Sequence, residues 1–232
     1  MSAPLRAGEL RGVPLFEGLS DDDLQRIRER VRETAVPAGT LLVNMPHSGE
    51  AVYVILAGSA AVQLVKSDGS RSTLFLLGPG DCILEVGHIH PHVPSTCVIT
   101  RQETRLLWME GKGFLRCVER SPSLARNLTR ELSLQLRRAD AHICALASLD
   151  VTGRVSCQIL DLAEHWGTPV PGRGIQIPVP VTQGEIAEMT AATRDRVHLI
   201  MTRLQRAGVF TMDSEDRMTV HRPEILAQLS RV

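Results

Sequence analysis

The sequence predicts an α+β protein in three parts: a β-rich N-terminal domain, one long helix and a C-terminal helix-turn-helix. Three observations carry this. Residues 36–109 alternate short β-rich runs with glycine-bearing turns. An uninterrupted helical pattern follows, from residue 121 to about 149. Residues 181–210 (VTQGEIAEMTAATRDRVHLIMTRLQRAGVF) read as two short helices joined by a small-residue turn and followed by a strand. The 232 residues suit two domains better than one, and 43% hydrophobic residues are enough to fill their cores.

Taken in order, residues 20–34 (SDDDLQRIRERVRET) offer a Ser N-cap, acids in the first turn and apolar Leu24, Ile27 and Val31. They predict a short amphipathic helix. Strands are expected over 40–43, 51–56, 60–65, 72–77, 96–100 and 104–109. The punctuation between them comes from Pro37-Ala38-Gly39, His47-Ser48-Gly49, Gly58, Ser67-Asp68-Gly69 and Gly78-Pro79-Gly80-Asp81. Such spacing implies a sandwich, jelly roll or β-roll. Ser121-Pro122, a cap followed by proline at the first helical position, launches the long helix. It would be roughly 40 Å long at 1.5 Å per residue. Ala125, Thr129, Leu132, Leu136, Ala139, Ile143 and Leu146 form a heptad-like stripe on it, and Arg126, Arg130, Arg137 and Arg138 lie off the stripe. A stripe of this kind either covers its own domain or packs against a second copy, and a homodimer suits a two-fold DNA site better.

In the helix-turn-helix, Thr182 and Glu185 have the spacing of a capping box. The turn is Thr190-Ala191-Ala192, and Thr193 can cap the second helix. Val197, Ile200, Met201 and Leu204 occupy its core positions, which leaves Arg194, Asp195, Arg196 and His198 on the other face. A helix that buries one side and points two arginines, a carboxylate and an imidazole outward is built like a major-groove reader. The competing reading is a solvated charged helix in a small α domain.

Formal net charge is zero, so attraction to nucleic acid must be local. Arg194, Arg196, Arg203 and Arg206 supply a patch against the single Asp195. The longest apolar stretch, 52–65, is broken by Gly58 and Gln63 and is too short to span a bilayer. The N-terminal MSAPLRAGELRG lacks an apolar core, so no signal peptide is expected and the cytoplasm is the expected compartment. Five scattered cysteines without a CxxC pair argue against a disulfide framework and against a tetrathiolate or iron–sulfur site.

The order of these parts resembles the cyclic-AMP receptor/FNR (CRP/FNR) family of bacterial transcription regulators, over about residues 15–220. The sharpest match is LDVTGRV at 149–155, similar to the hinge between dimerisation helix and DNA-binding domain. GEAVYVILAG at 49–58, the turn at 78–81 and the segment 181–210 also match. Residues 211–221, two short runs around Asp213-Ser214-Glu215-Asp216, then correspond to the wing hairpin. The resemblance implies an N-terminal β-roll effector or sensor domain over 1–120, a dimerisation helix over 121–149 and a winged helix-turn-helix over 150–232. It implies a homodimer on two-fold double-stranded DNA, with RNA polymerase as a further partner. It also implies a two-state mechanism in which the hinge at 150–153 resets the spacing of the recognition helices.

The resemblance assigns DNA contacts to Thr182, Gln183, Thr193, Arg194, Asp195, Arg196, His198, Leu199 and Arg203. In the cyclic-AMP branch an Arg-Glu pair and a second arginine one turn on reach base edges. Here Arg194 matches the first, Asp195 is one methylene shorter than the second, and Leu199 replaces the third. The effector pocket departs further. Where cyclic-AMP binders supply Gly-Glu, Arg-Ser and Thr-Ser, this chain has Leu84-Glu85, Ser95-Thr96 and Ala139-Asp140. A bulky side chain, a missing counter-ion and an added carboxylate argue against cyclic-nucleotide binding. GHIHPH at 87–92 occupies the corresponding turn; His88, His90 and His92 would share one face of a strand, with Glu85 and Cys82 near in sequence. They are the candidates for an alternative, a haem- or metal-sensing regulator, although Pro91 interrupts the strand and no cofactor is expected. A cupin-like metalloenzyme, the reading from another class, would need a Glu shortly after a His-x-His, and Val93-Pro94-Ser95-Thr96 stands there instead. No enzymatic activity is expected.

Overall fold

The uninterrupted apolar run AVYVILA, apolar on both faces, dictates a strand buried from two sides, and the N-terminal domain is built around it. A computed structural model of the protein describes residues 10–42, 51–84 and 96–231. Contacts divide the chain into two units, Met1–Leu134 and Gln135–Val232.

In the first unit, β1 (Arg32–Val36), β2 (Ala51–Ala57), β5 (Cys82–Leu84) and β7 (Thr104–Glu110) form an antiparallel sheet in the order β1-β7-β2-β5. A second antiparallel sheet has the order β4-β3-β6, from β3 (Ala60–Val65), β4 (Arg71–Leu77) and β6 (Thr96–Thr100). Tyr53 and Ile55 on one face of β2 pack with Ala60 and Val98 of the second sheet. Val52 and Val54, on the other face, pack with Leu24 and Ile27 of α1 (Asp21–Arg28), Phe114 and Cys117 of α2 (Gly111–Arg120), and Leu124. Gly58, at φ +91°, joins β2 to β3, and a Cβ there would lie 2.5 Å from the Glu103 carbonyl oxygen. Both the backbone conformation and the close approach require glycine.

Two expectations are corrected in this unit. The first helix does have its Ser20 cap, which accepts from the Asp23 N–H at 3.2 Å. It ends at Arg28 rather than continuing to Thr34, because residues 32–36 pair in register with β7, Arg32 opposite Trp108. Sheet pairing overrides helix propensity there. Of the strand expected over 40–43, residues 40–42 are described and form none: Leu41 makes one isolated bridge to Ile99. The Thr100 N–H donates to the Thr40 carbonyl at 3.0 Å and the Gly39 N–H to the Thr100 carbonyl at 2.7 Å. The buried Thr100 hydroxyl accepts the Thr40 N–H at 2.9 Å and donates to the Pro37 carbonyl at 2.7 Å, so the segment is tied at one residue instead of along a ladder. The short β5 and the helix α2 were not foreseen.

The long helix α3 runs Pro122–Ser148, as the proline and the heptad stripe predict. Its first turns are tied to the first unit: Asn127 Nδ2 donates to the Leu15 and Glu17 carbonyls at 3.0 and 2.8 Å. Among the described residues the larger apolar side chains of the stripe stay exposed: Leu136 is 63% exposed and Ile143 62%.

In the second unit, α3 gives way after only Leu149 and Asp150 to α4 (Val151–Trp166), with Asp150 as N-cap, accepting the Gly153 N–H at 2.8 Å. The LDVTGRV segment is therefore a two-residue joint plus the first turn of a helix. Val155, Ile159, Leu162 and Trp166 bury one face of α4. Arg138 of α3 grips Asp161 of α4 through Nε and Nη2, at 3.1 and 2.9 Å, and its guanidinium lies 5.8 Å from the centre of the Trp166 ring. A four-stranded sheet follows, β10 (Phe210–Met212), β11 (Met218–Val220), β9 (Gly174–Gln176) and β8 (Thr168–Val170) in that order. It flanks α5 (Gln183–Met189) and α6 (Arg194–Arg206), and α7 (Pro223–Leu229) closes the chain. No helix among the described residues is long and apolar enough to cross a membrane.

Candidate DNA-binding surface

Both ends of the helix pair are set by side-chain caps that the sequence announces. The Glu185 N–H donates to Thr182 Oγ1 at 3.2 Å, and Glu185 Oε2 accepts the Thr182 N–H at 2.9 Å, completing the capping box. At the other end of α5 the Thr190 hydroxyl donates to the Ile186 carbonyl at 2.6 Å. Ala191 then takes φ +50°, the left-handed conformation that lets a two-helix turn close in three residues. Thr193 starts α6 by accepting the Arg196 N–H at 3.3 Å.

α6 buries Val197, Ile200, Met201 and Leu204, as its periodicity predicts. Arg194, Asp195, Arg196, His198, Leu199 and Arg203 are all exposed. Leu199, 41% exposed, is an apolar side chain on an otherwise polar face. The hydroxyls of Thr182 and Thr193 are committed to the caps, and half-buried Gln183 is committed to a neighbour: its Oε1 lies 3.0 Å from His198 Nδ1. Beside it Gly184 lies under Arg194, where a Cβ would be 3.3 Å from the guanidinium Nε and Nη2. The first helix thus forms a shelf along which two outward side chains of the second are laid.

Sequence reasoning missed Arg154. It stands in the first turn of α4, where a positive charge opposes the helix dipole. Its guanidinium donates to the Leu149 carbonyl at 3.0 Å and to the Thr190 carbonyl at 3.1 Å, so it joins the α3–α4 joint to the turn of the helix pair. A basic residue placed against the dipole was the available signal. The expected wing is present as β10 and β11, in register Met212 opposite Met218. Asp213 closes it by accepting the Glu215 and Arg217 N–H groups at 2.8 and 3.0 Å and Arg217 Nε at 2.8 Å. These bonds, the Arg217 backbone first, hold the Asp213 carboxyl below the usual carboxylate range. The Val181 N–H donates to the Asp216 carbonyl at 2.9 Å, which fastens the wing to the residue preceding the capping box.

Residues 153–229 match the Crp-like helix-turn-helix domain, and residues 33–121 match the cyclic nucleotide-binding domain. Among curated proteins, the chain is similar to the CRP-like cAMP-activated global transcriptional regulator of Mycobacterium tuberculosis, with 26% identity over 209 residues, 87% of this chain and 93% of the relative. The cyclic AMP receptor protein of Thermus thermophilus is 24% identical over 200 residues, 86% of this chain and 89% of the relative. Among solved structures, a mutant of CooA from Carboxydothermus hydrogenoformans shares the fold at a TM-score of 0.72 and 19% identity, covering 100% of this chain and 98% of that one.

The chain belongs to the CRP/FNR family of transcription regulators. It is a DNA-binding regulator, with the helix-turn-helix as its DNA-binding element.

Within this CRP/FNR regulator, Leu84 ends β5, and its half-buried side chain packs on the apolar cluster containing Leu15, Phe16 and Leu124. The neighbouring Asp81 is buried and accepts the Gly78 N–H at 2.8 Å, which closes the 78–81 turn. Thr96 opens β6 and is exposed; on α3, Ala139 is half-buried and Asp140 exposed. Glu85, Ser95, His88, His90 and His92 lie outside the described residues. Among the described residues no group of His, Cys, Asp and Glu side chains is placed to hold a metal ion. The cysteines nearest the cores, Cys82 and Cys117, are pushed toward the neutral thiol by burial.

Proposed function

We propose that this regulator is a homodimer that reads DNA chiefly through Arg194 and that cyclic AMP does not control it. The outward face of α6 carries the reading. A capped helix presents Arg194, Asp195, Arg196, His198, Leu199 and Arg203 to solvent and buries its opposite side. Arginine pairs bidentately with guanine O6 and N7, so Arg194 specifies a guanine in each half-site. Asp195 and Leu199 alter the neighbouring preferences, and Leu199 favours contact with a thymine methyl. Arg196 and Arg203 hold phosphates, with the caps at Thr182 and Thr193 setting the helix ends against the backbone.

Dimerisation is assigned to α3, within residues 121–149. Leu132, Leu136, Ile143 and Leu146 follow one another at four, seven and three residues, with Ala139 filling the heptad position between the middle two, and are 47%, 63%, 62% and 37% exposed. That apolar seam suits a second copy of itself. Independence from cyclic AMP follows from Leu84 packed into the apolar cluster, with Ala139 and Asp140 at the positions of the base-reading pair. Activation by cAMP, named for the M. tuberculosis relative, is not carried over. The proposed partners are two-fold double-stranded DNA and RNA polymerase, the proposed compartment is the cytoplasm, and no catalytic residue or cofactor is assigned.

The test is selection of sites from random duplex DNA. Expected is a two-fold motif with a guanine in each half-site that is lost in Arg194→Ala. A motif unchanged in that variant would overturn the assignment.

A further inference from the structure

Gln183 and His198 are fifteen residues apart in sequence, on different helices, and their side chains meet at 3.0 Å on the exposed face of the motif. Neither position is random within that face. His198 follows Arg194 by one helical turn, so the two side chains are neighbours about 5–6 Å apart at Cβ. Gln183 is the first residue of α5, its backbone fixed by the capping box on either side of it. Gly184, the next residue, leaves the space in which the Arg194 guanidinium lies. Two consecutive residues of one helix therefore meet two outward residues of the other that stand one helical turn apart.

The chemistry of the contact has a definite sense. The amide is placed with Oε1 toward the ring; an Oε1 can only accept, so in this orientation the His198 nitrogen facing it, Nδ1, carries the proton. In a neutral imidazole with Nδ1 protonated, Nε2 is a bare acceptor. In the major groove an acceptor finds a partner only on cytosine N4 or adenine N6; guanine N7 and O6 and thymine O4 are acceptors themselves. A histidine whose tautomer is free would serve either set.

We infer that Gln183 and His198 form one base-reading unit, in which the Gln183 carbonyl fixes the His198 tautomer and Nε2 reads a cytosine or adenine amino group. This rests on α6 being the DNA-reading helix. One helical turn corresponds to less than two base steps of about 3.4 Å, so the base lies within two pairs of the guanine read by Arg194. Gln183 is then a positioning residue that never touches the base, and His198 a specificity-determining one.

The experiment is site selection with the wild type, Arg194→Ala, His198→Ala, Gln183→Met and the double variant Q183M/H198A. It is paired with long-range proton–nitrogen NMR of the His198 ring in the free protein. Expected in the wild type is an adenine or cytosine within two pairs of the guanine and, at a pH where the ring is neutral, its proton on Nδ1. His198→Ala should lower the preference at that pair about five- to tenfold, the value of one hydrogen bond, and leave the guanine untouched. Gln183→Met should move the ring proton to Nε2 in part and admit guanine or thymine, and the double variant should lose no more than His198→Ala alone. A guanine or thymine at that pair in the wild type, a ring protonated on Nε2, or an unchanged motif in His198→Ala would overturn the inference. If Arg194→Ala erases the guanine and His198→Ala changes nothing, only this unit fails. If both leave the motif intact, the assignment of α6 fails with it. Arg194 and His198 are exposed and Gln183 is half-buried, and unchanged thermal unfolding verifies that each variant is folded.

Discussion

At the scale of residues, the helix pair is governed by local rules and was legible in the sequence. Thr182, Glu185 and Thr193 cap where their spacing says they should, because a cap involves only residues three positions apart. Contacts that cross helices were not legible: Arg154 to the Thr190 carbonyl spans 36 positions, and Gln183 to His198 spans 15. Periodicity assigns a residue to a face but says nothing about which neighbour it meets there. Arg194→Ala should cost about 1–3 kcal/mol of binding per guanine contact and relax choice at that pair. Arg196→Ala and Arg203→Ala should instead weaken binding to every sequence alike and flatten the dependence on salt. Anisotropy titrations on matched and mismatched duplexes at two salt concentrations separate these outcomes.

At the scale of elements, tertiary pairing decided where sequence reading went astray. Residues 32–36 carry no strong strand signal alone, yet five backbone pairings with β7 draw them out of the first helix. The three-residue β5 is likewise held by its pairing with Val52, Tyr53 and Val54. Val155, Ile159, Leu162 and Trp166 of α4 keep helical spacing, and LDVTGRV supplies both the joint and the first turn of that helix. Two elements have pH-dependent stability. Asp213 closes the wing with a carboxyl held below the usual range by the N–H and guanidinium groups of Arg217. Its contribution is complete above the unfolded aspartate value of about 3.9 and is lost as pH falls through the lower folded value. Wing amides followed by NMR should therefore stay protected at neutral pH and lose protection in acid, and Asp213→Ala, which removes the acceptor of the Glu215 and Arg217 N–H groups, should already open them at neutral pH. His142, on α3 against α4, has its pKa lowered by burial, against the opposing effects of Asp161 and a Gln158 hydrogen bond. The unfolded chain takes up this proton first, so stability falls as pH drops below the unfolded value of about 6.5 and levels off below the folded one. Thermal unfolding across that window should show the slope, and His142→Gln should reduce it.

At the scale of the whole molecule, the fold class and the order of β domain, long helix and winged helix-turn-helix were all readable from turns, caps and periodicity. The effector region was readable only as a set of departures from the family pattern, because a pocket is defined by what converges on it. The apolar seam of α3 sets the expected assembly. Leu136→Glu or Ile143→Glu would bury an unpaired carboxylate at a helix–helix seam and should give monomers by sedimentation. Dimers unaffected by both substitutions would rule the seam out. A monomer has one reading head, so both variants should also lose the advantage of a two-fold site over a half-site.

The measurement that bears most directly on how this regulator works is a titration of the 232-residue chain onto its selected two-fold DNA site, with and without saturating cyclic AMP. Expected is one affinity, unchanged by the nucleotide, with two chains per site and no heat when the nucleotide is titrated alone. DNA binding that appears or tightens only when cyclic AMP is present would contradict the reading of Leu84, Ala139 and Asp140 given above.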